Sequence, residues 1–267
     1  MTLRRGAVVV VELDPAIGHE QRGVRPCIIV SDPDVIGDQR FRLVCVVPVT
    51  GTPGEGLLYP PLAPGRSGLA KRSFALIEAE ADLSRFPPEM RPVALRLAHA
   101  AGDATILHDL AWAENAVTEG KRALADGAPI LVDSRMVAVG VIGGRLPAQN
   151  QILCTLTDPK TADIARRLET TRSAAAVELW RPHLAGAVVA IGNAPTALFH
   201  LLELIATGGP KPALVLGFPV GFVGAAEAKA ALADFGDGLT FITLHGRRGG
   251  SALAAAAVNA LTAKAER

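Results

Sequence analysis

His99 and Arg96 stand three residues apart in Val93-Ala-Leu-Arg-Leu-Ala-His-Ala-Ala-Gly102. This stretch reads as a helix that stops at Gly102, because glycine accepts the left-handed turn that closes many helices. Residues three apart on a helix share a face, so a cation and a proton-transfer group would point the same way. Histidine titrates near neutral pH and can give a proton and recover it within one reaction. A histidine in the last turn also suits the negative end of the helix dipole, which is the structural reading of the same residue.

Three more arginines lie in or beside small-residue turns. Arg172 opens Arg172-Ser-Ala-Ala-Ala-Val177, and Arg247 and Arg248 sit inside Gly246-Arg-Arg-Gly-Gly-Ser251. Guanidinium groups make charge-assisted hydrogen bonds to carboxylates and phosphates. Gly192-Asn193 and Gly217-Phe-Pro-Val-Gly221 are turns of the same kind. Small residues let a ligand approach the backbone, and free amides at a helix start favour anions. No GxGxxG run accompanies them, which argues against a dinucleotide. The pattern fits a broad ligand with several negative groups. His108, His183, His200 and His245 show no HxxxH or HxH spacing, so no metal site is expected. Cys27, Cys45 and Cys154 form no CxxC pair and read as free thiols of a reducing compartment.

The elements that must carry these residues change character along the chain. In the first 50 residues, Ala7-Val-Val-Val-Val-Glu-Leu13, Cys27-Ile-Ile-Val-Ser31 and Arg42-Leu-Val-Cys-Val-Val-Pro-Val-Thr50 are β-branched runs between turn residues. Residues 51–72 are rich in glycine and proline and read as a long loop or ragged β segment. After Ser73, helical patterns alternate with short apolar runs. These are Pro129–Val132, Val137–Gly140, Gln151–Thr155, Ala187–Ile191, Ala213–Leu216 and Thr240–Leu244. Strands separated by helix-like sequence imply βαβ crossovers and a mostly parallel sheet. Uninterrupted apolar runs suit strands covered on both faces. Such a sheet gathers ligands at the carboxyl ends of its strands, where several of the turns fall. From Ser251 to about Lys264 the chain is alanine-rich and reads as a helix.

The chain has 267 residues, 49% of them hydrophobic and 20% charged, which is enough to bury a full core. Residues 1–72 carry nine Lys and Arg against seven Asp and Glu, and the rest carries eighteen against nineteen. Neither part has the charge of a nucleic-acid footprint. The N-terminus has no secretory core. The longest uncharged stretch, Leu184 to Leu202, is broken by Gly192-Asn-Ala-Pro195, which argues against a membrane span. The expectation is a cytoplasmic protein.

Several segments together resemble one family. They are Arg172-Ser-Ala-Ala-Ala-Val-Glu-Leu-Trp-Arg-Pro-His-Leu-Ala-Gly186 with Ala187-Val-Val-Ala-Ile-Gly192-Asn-Ala-Pro-Thr196, Gly217-Phe-Pro-Val-Gly-Phe-Val-Gly224-Ala-Ala-Glu227, and Gly246–Ser251. They resemble the precorrin-8X methylmutases of cobalamin biosynthesis. Ser73-Phe-Ala-Leu-Ile-Glu-Ala-Glu-Ala-Asp-Leu-Ser-Arg-Phe86 is similar to the family's opening segment. The resemblance implies an α/β isomerase that moves a methyl group from C-11 to C-12 of a corrinoid, without a cofactor or metal, as a homodimer. It places the family's catalytic histidine on His99 and its substrate-contacting serine and arginine on Ser73 and Arg96. The family usually has cysteine where this chain has Ala101, a small residue for a small one. Pro92 falls inside the helix and puts its start in question.

The first quarter resembles something else. Gly18-His-Glu-Gln-Arg-Gly-Val-Arg-Pro26 and Val46-Val-Pro-Val-Thr50 are similar to the MazF/PemK toxin endoribonucleases. That resemblance implies a small SH3-like barrel and assigns cleavage chemistry to Arg25 and Thr50. Here it stops near Arg72, short of a whole toxin, and the other family's first helix is not found. The chain is therefore read as a fusion. Residues 1–72 form an SH3-like β-barrel remnant that does not cut RNA, and 73–267 form an α/β domain with a mostly parallel sheet flanked by helices. Two other functions stay open: a corrinoid-binding or delivery protein without turnover, and an RNA-binding or RNA-cleaving protein acting through the first quarter.

Overall fold

The β-branched runs near the N-terminus form strands, as their composition predicts. The computed structural model describes residues 4, 6–14, 23–30, 46–51, 61–65, 68–75, 83–236 and 238–262. The chain divides into two compact units, Met1–Asp82 and Leu83–Arg267. The division falls later than Arg72, so Ser73 lies within the first unit.

Five strands make up the described part of that unit: β1 (Val8–Glu12), β2 (Val24–Ile29), β3 (Val46–Thr50), β4 (Pro61–Leu62) and β5 (Ser73–Ala75). They pair antiparallel in the order β1-β2-β3-β5-β4. Cys27, Ile29 and Val49 are its buried apolar residues. The stretch read as a ragged β segment supplies β4, and the segment resembling the methylmutase opening supplies β5. Most of the toxin-like loop, Gly18 to Arg22, lies outside the described residues, as do Arg42 to Cys45.

The second unit is built on a six-stranded sheet: β6 (Leu110–Trp112), β7 (Ile130–Val132), β8 (Ile152–Leu153), β9 (Val188–Ile191), β10 (Leu214–Gly217) and β11 (Phe241–Leu244). Its order is β6-β11-β10-β9-β7-β8. All pairs are parallel except β6 with β11. Strands β7, β9 and β10 are buried at every residue, as uninterrupted apolar runs require when both faces are covered. Two details depart from the sequence reading. Leu110–Trp112 is a short antiparallel edge strand hidden in helix-like sequence. Val137–Gly140, grouped with the strand-like runs, belongs to a helix, Arg135–Gly140. There the Ser134 hydroxyl accepts the Val137 amide as an N-cap. A four-residue apolar run cannot distinguish strand from helix by period alone.

Eight helices cover the sheet among the described residues: α1 (Arg91–Ala101), α2 (Ala116–Ala125), α3 (Arg135–Gly140), α4 (Pro159–Arg167), α5 (Arg172–Glu178), α6 (Pro195–Ala206), α7 (Ala225–Ala233) and α8 (Ser251–Leu261). Alternation along the strands divides the apolar side chains between two cores. Val189, Ile191 and Val215 join Val177, Trp180, Leu198, Leu201 and Leu232 from the α5–α7 side. Leu214 points the other way. A Cβ on Gly120 of α2 would stand 2.6 Å from its Cδ2 and 2.9 Å from Cδ1 of Leu261, so glycine is what lets α2 sit that close. Helix α8 is buried from Leu253 to Leu261 and packs on α1, α3, β9 and β10. Its alanines allow that enclosure, since a small side chain lets neighbours approach on every side. Among the described residues, no helix is long and apolar enough to cross a membrane.

Candidate active site at the carboxyl edge of the sheet

From β7 the chain runs outward to β8, then crosses back to β9 and continues through β10 and β11 in the other direction. The carboxyl ends of β7 and β9 therefore flank the point where the strand order reverses, the usual ligand crevice of such sheets. Asp133 ends β7 there and is 2% exposed. Its carboxylate accepts the amides of Gly192 at 2.9 Å, Asn193 at 2.8 Å and Ala194 at 2.7 Å. Burial pushes the Asp133 carboxyl above its ordinary range, and the three amides pull against that shift. The sequence reading offered the amides of the Gly192-Asn193 turn to a ligand anion. Asp133 already takes them, so that expectation is corrected. Beside it, the hydroxyls of Ser134 and Ser251 lie 3.2 Å apart and tie the end of β7 to the start of α8.

The next two strand ends carry the arginine turn. The Gly250 amide donates to the Phe218 carbonyl at 2.8 Å. A Cβ on Gly249 would lie 2.5 Å from the carbonyl oxygens of Phe218 and Pro219, so only glycine fits where the turns after β10 and β11 meet. The guanidinium of Arg248 donates to Asp103, to the Thr105 hydroxyl and to Asp109, each at 2.7 Å, and to the Thr105 carbonyl at 3.3 Å. The bond to Asp109 does most to raise the Arg248 pKa. Hydrogen bonds from Thr105, then the charge of Arg248, hold Asp103 below the ordinary carboxylate range. Arg248 is thus committed to two carboxylates, whereas Arg247 is exposed and its guanidinium has no partner among the described residues.

Asp103 follows the C-terminus of α1. Pro92 sits in the first turn of that helix, where a missing amide costs nothing, so the doubt it raised about the helix start is answered. Val93, Ala94, Leu97 and Ala98 form the buried face, which packs against α8. Gly102 closes the helix at φ 64°, in the left-handed conformation read from the sequence. His99 lies in the last turn, exposed, and Arg96 one turn earlier is half-buried; neither side chain has a hydrogen-bond or ion-pair partner among the described residues.

The remaining candidates fall as follows. Arg172 begins α5, exposed, and donates to the Leu156 carbonyl at 3.2 Å. The Thr171 hydroxyl caps that helix and lies 2.9 Å from that of Thr196. Ser73 is buried on β5 and its hydroxyl donates to the Lys71 carbonyl at 3.1 Å. In the first unit, Cys27 pairs with Pro48 and Ile28 with Val47 between β2 and β3. Arg25 lies on β2 and Thr50 on β3, strands that pair with each other. His200 is bound to Glu178 at 2.6 Å between α6 and α5, with Arg181 on the same carboxylate, and reads as structural. No group of three metal-ligating side chains occurs among the described residues.

Asp103, Asp109, Asp133 and Lys229 were not singled out in the sequence, and the first two are known only through their bonds to Arg248. Asp133 carried a readable signal, an acid at the end of an apolar run just before a serine cap. Lys229 sits one helical turn beyond Ala225, on the face that also buries Ala228 and Leu232, and is itself fully buried. A lone lysine on the apolar stripe of an alanine-rich helix was its signal.

Comparison with known proteins agrees with both resemblances. The family model for precorrin-8X methylmutase matches residues 69–264, and that for the PemK-like, MazF-like toxin of type II toxin-antitoxin systems matches residues 4–85. The two matches overlap from 69 to 85, so the toxin likeness runs beyond the Arg72 limit read from the sequence. The precorrin-8X methylmutase of Pseudomonas aeruginosa is 54% identical over 196 residues, 73% of this chain and 94% of that protein. The cobalt-precorrin-8 methylmutase of Priestia megaterium is 35% identical over 209 residues, 78% of this chain and 92% of its own length. A crystal structure of the precorrin-8X methylmutase from Thermus thermophilus superposes with a TM-score of 0.61 at 42% identity, over 67% of this chain and 85% of that one.

Proposed function

The chain belongs to the precorrin-8X methylmutase family, and from that premise we propose that His99 is the proton donor and acceptor of its reaction. The protein is an isomerase of cobalamin biosynthesis, moving a methyl group within one molecule. In the reading proposed, precorrin-8X becomes hydrogenobyrinate. The bond from the methyl carbon to C-11 breaks as a bond to C-12 forms, and no atom or electron is gained or lost. Protonated His99 gives a proton to the ring system, which withdraws electron density from it and makes C-12 a better acceptor of the methyl group with its bonding pair. The same proton returns to the imidazole when the new bond is made.

The observation that carries this reading is the placement of His99. It is exposed, without a partner among the described residues, in the last turn of a helix whose other face is fixed against α8. Arg96 shares its flank and suits orientation of the macrocycle, with Ser73 proposed for the same task. Arg172 and Arg247 are proposed to meet acetate and propionate groups of the corrinoid, as charge-assisted donors. Arg248 belongs to that rim through the turn it holds. The sequence likeness to a precorrin-8X enzyme at 54%, against 35% to a cobalt-precorrin-8 enzyme, supports the cobalt-free substrate as the preferred one. The proposed setting is cytoplasmic. The proposed assembly is a homodimer, for which exposed Met136, Val139, Phe222 and Val223 supply apolar surface.

The test is incubation of the purified protein with precorrin-8X and with its cobalt form. Catalytic appearance of hydrogenobyrinate supports the reading. One equivalent of bound corrinoid without turnover would favour a binding and delivery protein instead.

Residues 1–72 are proposed as a structural module without RNA-cleaving activity, and 73–267 as the methylmutase domain. One observation favours the rival reading of RNA cleavage: Arg25 and Thr50 stand on two strands, β2 and β3, that pair with each other. Incubation with single-stranded RNA decides between them.

A further inference from the structure

Lys229 on α7 is fully buried, and its ammonium group donates to the main-chain carbonyl of Arg248. Taking an ammonium out of water is costly, and an apolar side chain of similar volume would fill the space at lower cost. What lysine adds there is the bond to that carbonyl. The bond grips the Arg247–Gly250 turn from the side of α7.

The same turn is held from two other directions. The Arg248 guanidinium fastens it to Asp103, Thr105 and Asp109, and the Gly249-Gly250 backbone sits on the carbonyls of Phe218 and Pro219. The Arg247 carbonyl also accepts a long bond from the Gly221 amide at 3.5 Å. With the rest of the turn so occupied, the side chain left facing outward is that of Arg247. Positioned donors bind better than mobile ones because less freedom is lost on binding.

We infer that Lys229 is a positioning residue for substrate binding: through the Arg248 carbonyl it fixes the direction in which Arg247 meets a carboxylate of the corrinoid. The inference rests on the reading that Arg247 contacts the substrate. Lys229 then acts from inside the protein, and Arg247 acts at its surface. Asp109 and the Arg248 guanidinium are the charged groups that act on Lys229, the first favouring its charge and the second opposing it.

The experiment is a binding titration with hydrogenobyrinate, followed by absorbance, on the full chain. It compares wild type, Lys229→Met, Arg247→Ala and the double variant, with thermal melting of each to establish folding. Each single change is expected to weaken binding by about tenfold to a hundredfold. The double variant is expected to bind no worse than the weaker single variant, because residues that act through one contact are not additive. Multiplying losses in the double variant, or wild-type affinity in Lys229→Met, would overturn the positioning role while leaving the Arg247 reading intact. Unchanged affinity in Arg247→Ala would remove both. If Lys229→Met does not fold, Lys229→Gln carries the test. It keeps a donor at shorter reach, so its affinity should fall between wild type and Arg247→Ala, and an affinity equal to wild type would overturn the role.

Discussion

Arg248 donates to the carboxylate of Asp103 at 2.7 Å, which joins the turn after β11 to the residue that follows the C-terminus of α1. His99 lies one turn back from that junction, on the same helix end that Gly102 closes. The proton-transfer candidate and the arginine turn are therefore held in one frame. Asp103→Ala should loosen that frame without touching a substrate-contacting group. We expect kcat to fall by about tenfold to a hundredfold with a smaller change in KM, since a small misplacement of a reacting group carries such a penalty. Steady-state kinetics with precorrin-8X would check it, and unchanged kcat would mean that α1 holds its place without the ion pair.

His99→Ala should abolish methyl migration while leaving corrinoid binding largely intact. Loss of a general acid costs about two to four orders of magnitude in rate. Comparing single-turnover rates with affinity for hydrogenobyrinate separates the two effects. Near-normal turnover would remove His99 from the mechanism.

Much of this site could be read in the sequence because its signals are local. The helix around His99 and its stop at Gly102 follow from spacing and from one glycine. The parallel strands follow from apolar runs too uniform for a half-exposed sheet. What escaped was long-range. Asp133 takes the amides of a turn about sixty residues later in the chain, and Arg248 bonds Asp103 and Asp109 from the other end of the domain. No local pattern encodes such partners. Val137–Gly140 was grouped with strands because four apolar residues have no period, and the deciding signal was the serine cap before them. The difference in partners between Arg247 and Arg248 was equally hidden, since adjacent arginines look alike until one of them is bonded.

Arg172→Ala and Arg247→Ala should each weaken corrinoid affinity, by about 1.5–3 kcal/mol where the bond to a carboxylate is charge-assisted and partly buried. Arg172 would also release its bond to the Leu156 carbonyl, so part of its effect would be on the start of α5. Calorimetric titration with hydrogenobyrinate distinguishes these outcomes. Unchanged affinity in both variants would rule out the arginine rim.

Asp133→Ala should destabilise the fold rather than the chemistry. It strips three buried or half-buried amides of their acceptor at the start of α6, and each unsatisfied donor costs about 1–3 kcal/mol. Relaxation and water entry reduce the sum, so a loss of about 3–5 kcal/mol is expected. Denaturant unfolding measures it directly. A loss under about 1 kcal/mol would show that the amides find other partners.

Lys229 carries a pH signature. Burial lowers its pKa from 10.5 to about 8, with Asp109 pulling the other way. Between those values the unfolded chain holds the proton more tightly than the folded one, so this group makes stability rise as pH increases through the window. Below pH 8 both states are protonated and the folded protein bears the burial cost. The difference in unfolding free energy between wild type and Lys229→Met should therefore shift in favour of wild type from pH 8 to 10.5, by at most about 3 kcal/mol. A flat difference across that range would mean that Lys229 stays charged in the folded protein well above pH 8.

The N-terminal module should not cleave RNA. Both residues that the toxin likeness points to are present, Arg25 on β2 and Thr50 on β3, so the prediction does not rest on their loss. It rests on the third participant. Attack by a ribose hydroxyl needs both side chains and the RNA aligned, and an error of about 1 Å can cost a hundredfold. Strand β5, which pairs with β3 beside Thr50, comes from sequence that resembles the methylmutase opening. That segment lies inside both family matches, so the edge of the sheet next to Thr50 is common to the two likenesses. The same pairing predicts the effect of truncation. Removing residues 1–70 would take away β3 and β4, the two partners of β5, and expose its main-chain donors and acceptors. We expect insoluble or unstable protein, measured as soluble yield and melting temperature. Two results would overturn this reading: RNA cleavage that disappears in Arg25→Ala, or a fragment beginning near Lys71 that is as stable and active as the whole chain.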